Sequence, residues 1–315
     1  MNHDVIVIGG SAGSLEVLFG LAAELPADLP ASIFIALHTS PGSVSPLPEL
    51  LSRRGPLPAT HPLHEEPIRP GRIYVAPPDN HLLVRQGRME VTRGPKENNH
   101  RPAVDVLFRT AASAYGPRVI GVVLSGYQDC GTAGMMSIRA RGGLSVVQRP
   151  DTAQAPDMPR SVVAHMPVDH VVEPSELASL LARLAASPSG PPREPERAIA
   201  QLEGSQHGGP ADIVCPTCTG VLTETAINDF HIFRCHVGHA FSVETLLKEQ
   251  GDQLERALWS AVRALEESAA LNRRMADGDA AGLRGRFARA AGTYAQQAKI
   301  IRDILLHHTP HPPGT

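Results

Sequence analysis

The sequence predicts an α/β protein: a three-layer α/β/α domain on a mostly parallel sheet with a small antiparallel hairpin, then a small zinc-binding module and a helical hairpin. Three observations carry that prediction. Aliphatic runs alternate with stretches of helical apolar spacing over residues 4–185, which is the pattern of parallel βαβ units. Three of those runs break off at residues able to do hydrolytic chemistry: VIVIGG at Ser11, SIFIAL at His38, and VIGVVLSGYQ at Asp129 and Cys130. A cysteine and histidine cluster with metal-type spacing then precedes two long heptad-like patterns.

Taken in order, residues 5–8 form a short aliphatic strand, 15–25 a helix and 33–37 the next strand, a βαβ unit and hence a parallel pair. Residues 41–93 are rich in proline and turns. They carry short β-like pieces at 72–75 and 81–84, the latter answered by 89–92 across Arg85-Gln86-Gly87-Arg88, which reads as a hairpin attached to the main sheet. A helix at 104–114, a strand at 119–124, a helix at 132–141 and a strand at 144–148 follow. A last strand at 168–172 and a closing helix at 175–184, with Ser175 as its N-cap, end the domain. The expected divisions are a catalytic domain at 1–187, a linker at 188–211, a metal module at 212–240, a helical hairpin or coiled coil at 241–306, and a disordered tail at 307–315. In the second helix, Phe287, Ala291, Tyr294, Ala298, Ile301 and Leu305 recur at alternating spacings of four and three.

Composition narrows the function. The formal net charge of -3 and the absence of a dense basic stretch argue against nucleic-acid binding. No apolar run approaches the ~18 residues of a membrane span, so direct membrane insertion is not expected and a cytoplasmic location is. Four cysteines in 315 residues do not make a disulfide framework, and reduced thiols fit that compartment.

Ligands and catalytic groups gather outside the carboxyl ends of parallel strands, so the three strand exits can converge. Ser11, His38 and Asp129 would then be nucleophile, general base and the acid that orients it. The blocks IGGSAGS at Ser11, LHTSP at His38, IYVAPPDNHL at 73–82, HRPAVDVLF at 100–108, LSGYQDCGTAG at 124–134 and MPRSV at 158–162 resemble, in order, the catalytic domain of the CheB family of chemotaxis protein-glutamate methylesterases. The resemblance implies a serine hydrolase removing methyl groups from glutamate γ-methyl esters, and deamidating glutamine, on chemoreceptor-like proteins. It makes Ser11 the nucleophile and His38 the base, with amides near Ala12 and Tyr127 as oxyanion donors. The partner would be a methylated chemoreceptor.

The third catalytic position departs from that pattern. Ungapped counting puts Cys130 where the family carries its triad acid, with Asp129 one residue early. Three readings follow: Asp129 serves through a local backbone adjustment, the enzyme runs as a weakened Ser-His dyad, or the domain is a catalytically inactive signalling adaptor that binds receptor or partner proteins. His100, Arg101 and Asp105 read equally as cap and ion-pair residues or as substrate contacts, and Asn80 and His81 as turn or cleft residues.

Cys215 and Cys218 form a CxxC knuckle, and Cys235 with His239 completes a Cys3His set suited to a structural zinc; His239 is favoured over His236 because Gly238 lets the chain turn back. No organic cofactor is expected. The chain opens directly on the catalytic strand, without the receiver domain found in the best-known relatives, so control by phosphorylation in cis is not expected. The C-terminal helices are instead candidates for partner docking or self-association.

Overall fold

The structure is a computed structural model that describes residues 1–40, 42, 45–195, 199–200, 209–278 and 283–307. It divides into two compact units, Met1–Leu246 and Leu247–Thr315. In the first, β1 (Val5–Gly10), β2 (Ser32–Leu37), β3 (Ala59–Thr60), β4 (Ile73–Val75), β7 (Val119–Val123), β8 (Leu144–Gln148) and β9 (His170–Val172) form a seven-stranded parallel sheet in the order β3-β4-β2-β1-β7-β8-β9. The direction of winding reverses between β1 and β7, which places a crevice at their carboxyl ends.

Continuous burial of β1 and β2 follows from helices on both faces. Ile6 and Ile8 face α1 (Ser14–Glu24), α2 (Leu47–Arg54) and α6 (Leu177–Ala186) through Leu18, Leu21, Leu51 and Leu181. Val5 and Val7 face α3 (Val104–Tyr115), α4 (Thr132–Ala140) and α5 (Asp157–His165) through Leu107, Phe108, Ile138 and Val162. Each such aliphatic side chain contributes on the order of 1.5–3 kcal/mol on burial, so the sheet is held from both sides.

The helices α2 and α5 are absent from the sequence reading. Both are short and carry a proline in the first turn, where the missing N–H costs no hydrogen bond, so Pro48, in a stretch that reads as turns, belongs to a helix start here. The closing helix is also capped differently from expectation. Glu173 and Glu176 form a reciprocal capping box around a short turn at Pro174–Glu176, and α6 begins at Leu177, so Ser175 is not the cap. The hairpin of β5 (His81–Arg85) and β6 (Arg88–Thr92) has the expected register, from His81↔Thr92 to Arg85↔Arg88, but forms its own two-stranded sheet. It packs on α3 through Leu82, Val84 and Met89.

Four antiparallel strands follow: β10 (Gly209–Val214), β11 (Val221–Ile227), β12 (Phe230–Cys235) and β13 (Ala240–Ser242). This ribbon packs Ile227, Phe230, Ile232 and Ala240 against Ala133 and Met136 of α4, so it is part of the first unit. Of the expected linker, 196–198 and 201–208 lie outside the described residues, as does the tail from 308. The second unit holds most of α7 (Val243–Asp277) and all of α8 (Arg284–His307). Ala269 and Ala276 in α7 and Ala291 and Ala298 in α8 are buried, at the seven-residue spacing of a helical seam, and an Arg302–Glu266 ion pair joins the helices. No helix among the described residues is long and apolar enough to cross a membrane.

Candidate active site and metal centre

The register of the central strands brings the first two candidate residues together. Pairing of β1 with β2 runs to Gly10↔Leu37, and the His38 amide donates to Gly10 O at 3.1 Å, so Ser11 and His38 leave the sheet side by side. On the other flank, Leu124 N donates to Gly9 O and Ser11 N to Ser125 O, both at 2.8 Å, which draws the 125–131 loop alongside Ser11. The approach is close enough to require glycine at 126, because a β-carbon there would lie 2.1 Å from Met158 Sδ and 2.8 Å from Ser11 Cβ. Ser11 therefore sits in a turn fixed from three sides: its amide also donates to Ser14 Oγ at 3.0 Å, and α1 starts three residues later, after Gly13 at φ 80°.

The third exit is occupied differently. Asp129 is 5% exposed, and its Oδ1 accepts the Ser242 hydroxyl at 2.8 Å from β13 of the ribbon. Burial pushes this carboxyl up to about 7, against the Ser242 hydrogen bond that favours ionisation, and the charges of Glu244 and Asp105 add to the rise. Cys130, in the loop before α4, is fully buried with its thiol against the first residues of α3, where burial and the Asp105 charge hold it well above the ordinary range despite the Asp105 and Val104 amides. It is a neutral thiol and cannot stabilise an imidazolium. The loop is fixed by Asp105, whose Oδ1 accepts the Gly131 and Gly134 amides at 3.0 and 2.7 Å and whose Oδ2 accepts Asn98 Nδ2 at 3.1 Å. Asp105 is thus a cap for α4 supplied from α3, while Arg101 pairs with Asp79.

The Asp129 carboxyl gives a pH signature. Its pKa of about 7 in the fold exceeds the ordinary 3.8, so the folded state binds the extra proton and its contribution falls as pH rises from about 4 to about 7. Asp129→Asn is expected to lose less stability than wild type across that window, measured by urea unfolding at pH 4.5 and 8. Parallel losses would refute the assignment.

His38 is half-buried with both ring nitrogens shielded from solvent, and neither Nδ1 nor Nε2 has a hydrogen-bond partner among the described residues. Its ring instead lies parallel to that of His100, with centroids 3.5 Å apart and planes 7° apart. Burial, with His100 next to it, lowers the His38 pKa well below the usual 6.5 and keeps the ring neutral. His100, Asn98 and Ser242 are the site residues that the sequence reading did not assign. HRPAVDVLF draws attention to His100, but no local signal ties Ser242 to Asp129, more than a hundred residues away.

The CheB methylesterase family profile matches residues 6–181. The chain belongs to the CheB methylesterase family. A Leptospira interrogans protein named for protein-glutamate methylesterase and protein-glutamine glutaminase activities is 36% identical over 185 residues, which are 58% of this chain and 96% of that one. Protein-glutamate methylesterase/protein-glutamine glutaminase 4 of Myxococcus xanthus is 36% identical over 178 residues; these cover 56% of this chain and about half, 50%, of that relative. The crystal structure of the Thermotoga maritima CheB methylesterase catalytic domain superposes with a TM-score of 0.56 at 30% identity, covering 58% of this chain and 100% of that domain. Both strand exits at Ser11 and His38 fall within the CheB match, and so does the loop carrying Asp129 and Cys130.

The ribbon lies beyond the CheB match and holds a cluster able to bind a metal. The ligand atoms of Cys215, Cys218, Cys235 and His239 all lie within 4.8 Å of one another. Cys218 Sγ is 3.6 Å from Cys235 Sγ, and His239 Nδ1 is 3.6 Å from Cys235 Sγ and 3.8 Å from Cys215 Sγ. A tetrahedron with Zn–S of about 2.3 Å and Zn–N of about 2.0 Å has edges near 3.8 and 3.6 Å, so the donors fit. Gly238, at φ 105°, supplies the turn that brings His239 back to the cysteines.

The cluster is tied to the catalytic unit through β13. Asn98 N donates to Ala240 O at 2.8 Å, and Ser242 N donates to Asn98 Oδ1 at 2.9 Å. Beside them Glu97 bridges Arg109 at 2.7 Å and Arg234 at 3.1 Å. Burial opposes ionisation of Glu97, but the two guanidiniums outweigh it and hold the carboxyl far below the usual range.

Proposed function

We propose that this chain is a serine hydrolase acting on glutamate γ-methyl esters of a chemoreceptor-like protein, working as a Ser11–His38 dyad. The observation that carries the reading is the side-by-side exit of Ser11 and His38 at the carboxyl edge of β1 and β2. Ser11 Oγ attacks the ester carbonyl carbon as His38 takes its proton. His38 then returns the proton to methoxide, methanol leaves, and water hydrolyses the glutamyl-serine ester by the same two groups. A glutamine substrate follows the same course with ammonia leaving. The amides near Ala12 and Tyr127 are the oxyanion donors in this reading.

Of the three readings of the acid, the dyad is supported by the commitment of Asp129 to Ser242 and by the lack of a partner on either ring nitrogen of His38. Loss of the acid from such a triad lowers turnover by about 10⁴-fold without abolishing it. The Cys3His cluster would hold a zinc ion through Cys215, Cys218, Cys235 and His239. Four protein ligands leave no open position, so the ion is architectural. Free cysteines support a cytoplasmic location in this reading, with the C-terminal helices available for a partner or a second copy.

The expected result with a fluorophosphonate probe is one adduct per chain, on Ser11, by intact mass and peptide mapping. Ser11→Ala is expected to be unlabelled and His38→Ala to label at least about tenfold more slowly. Labelling that persists in Ser11→Ala would reject the reading.

A further inference from the structure

In the CheB arrangement implied by the sequence, a carboxylate orients the base; here no carboxylate among the described residues bonds either ring nitrogen of His38. Asp129 is spent on Ser242, and Cys130 is a buried neutral thiol. A ring with neither nitrogen bonded can swing about its side-chain torsions unless something else fixes its plane. The parallel His100 ring, 3.5 Å away and 7° from coplanar, covers one whole face of the imidazole.

His100 is itself held firmly. The Glu97 and His100 amides and carbonyls bond reciprocally, at 3.3 and 2.9 Å, which closes the 97–100 turn. That turn is anchored by three independent groups: Asn98 to Asp105 and to the Ser242 amide, Asn98 N to Ala240 O, and Glu97 to Arg109 and Arg234. Each of the three includes a contact from β12 or β13 of the metal ribbon, through Arg234, Ala240 and Ser242, so the ribbon reaches the base through this turn. Residues 98 and 99 take positive φ values of 47° and 64°, a conformation asparagine tolerates better than most residues.

We propose that His100 is a positioning residue for His38, replacing by ring stacking the orienting role of the absent triad acid. The stack fixes the plane in which His38 faces Ser11, and it excludes water from that face, so the base stays neutral. Among the described residues His100 is the ionisable group set against the ring, and a charge on either ring repels a charge on the other. The inference rests on His38 being the general base, and the test separates the two.

The experiment is a histidine-ring NMR titration of His38 together with the rate of Ser11 phosphonylation, in wild type, His100→Ala and His100→Phe. In wild type His38 is expected to titrate below the ordinary value near 6.5. His100→Ala should raise that midpoint and slow phosphonylation by about tenfold. His100→Phe retains a stacking ring without a charge, and should keep the low midpoint and recover most of the rate. An unmoved midpoint in His100→Ala, or a phenylalanine variant as slow as the alanine one, would overturn the proposal. Equal labelling of wild type and His38→Ala would instead remove the general-base reading, while the titration still decides whether His100 governs the ring.

Discussion

Replacing Cys130 with aspartate is expected to raise methanol release from a methylated receptor by on the order of 10²-fold. The position is the one at which the CheB pattern carries its triad acid, and the wild-type thiol there is neutral and buried. A carboxylate extends further than a thiol, and the Val104 and Asp105 amides at the start of α3 already surround the site. Partial positive charge at a helix N-terminus favours the ionised form. The full value of a triad acid is about 10⁴-fold, but the neighbouring Asp105 charge and the burial oppose ionisation, so only part is recovered. Steady-state turnover at pH 8 checks this, alongside Asp129→Asn, which should stay within about threefold of wild type. A large loss in Asp129→Asn with no gain in Cys130→Asp would return the acid's role to Asp129.

The second large effect concerns the metal. One zinc per chain is expected by elemental analysis, falling below about 0.1 in Cys215→Ser. Structural zinc binding contributes apparent free energies of about 10–16 kcal/mol in small modules, and a zinc ion on the Cys3His cluster would maintain the fold of β10 to β13 in the same way. Its small apolar cluster of Leu222, Phe233, Phe241 and Leu246 is built around Cys215 and Cys235, so removing one ligand exposes the rest. The loss propagates inward, because Glu97 would keep Arg109 and lose Arg234, and Asp129 would lose Ser242. Cys215→Ser should therefore lower the melting temperature of the catalytic unit as well as abolish zinc binding. Full zinc occupancy in that variant would contradict the ligand assignment.

What the sequence revealed was set by range. Strands such as β1 and β2, buried on both faces, announce themselves as unbroken aliphatic runs, and the break in each run marked Ser11 and His38. The Cys215 and Cys235 pairs were legible for a similar reason, since metal spacing is local. The helix α2 was hidden because Pro48, in a stretch read as turns, occupies the one helical turn that tolerates it, and α5, which carries Pro159 in the same place, is too short to show a helical period. Asp129 looked like an orienting acid from its neighbours in the chain. Its partner is Ser242, brought to it by the packing of the ribbon on α4, and nothing near residue 129 encodes that contact. The His38–His100 stack depends likewise on a turn clamped from residues 234, 240 and 242.

The most direct measurement is methanol release from a carboxyl-methylated chemoreceptor by the full chain and by Ser11→Ala. A slow rate for wild type, at least about tenfold above that of Ser11→Ala, is the predicted result for a dyad that has lost its acid. Equal rates at background would contradict it and leave a CheB fold retained for binding.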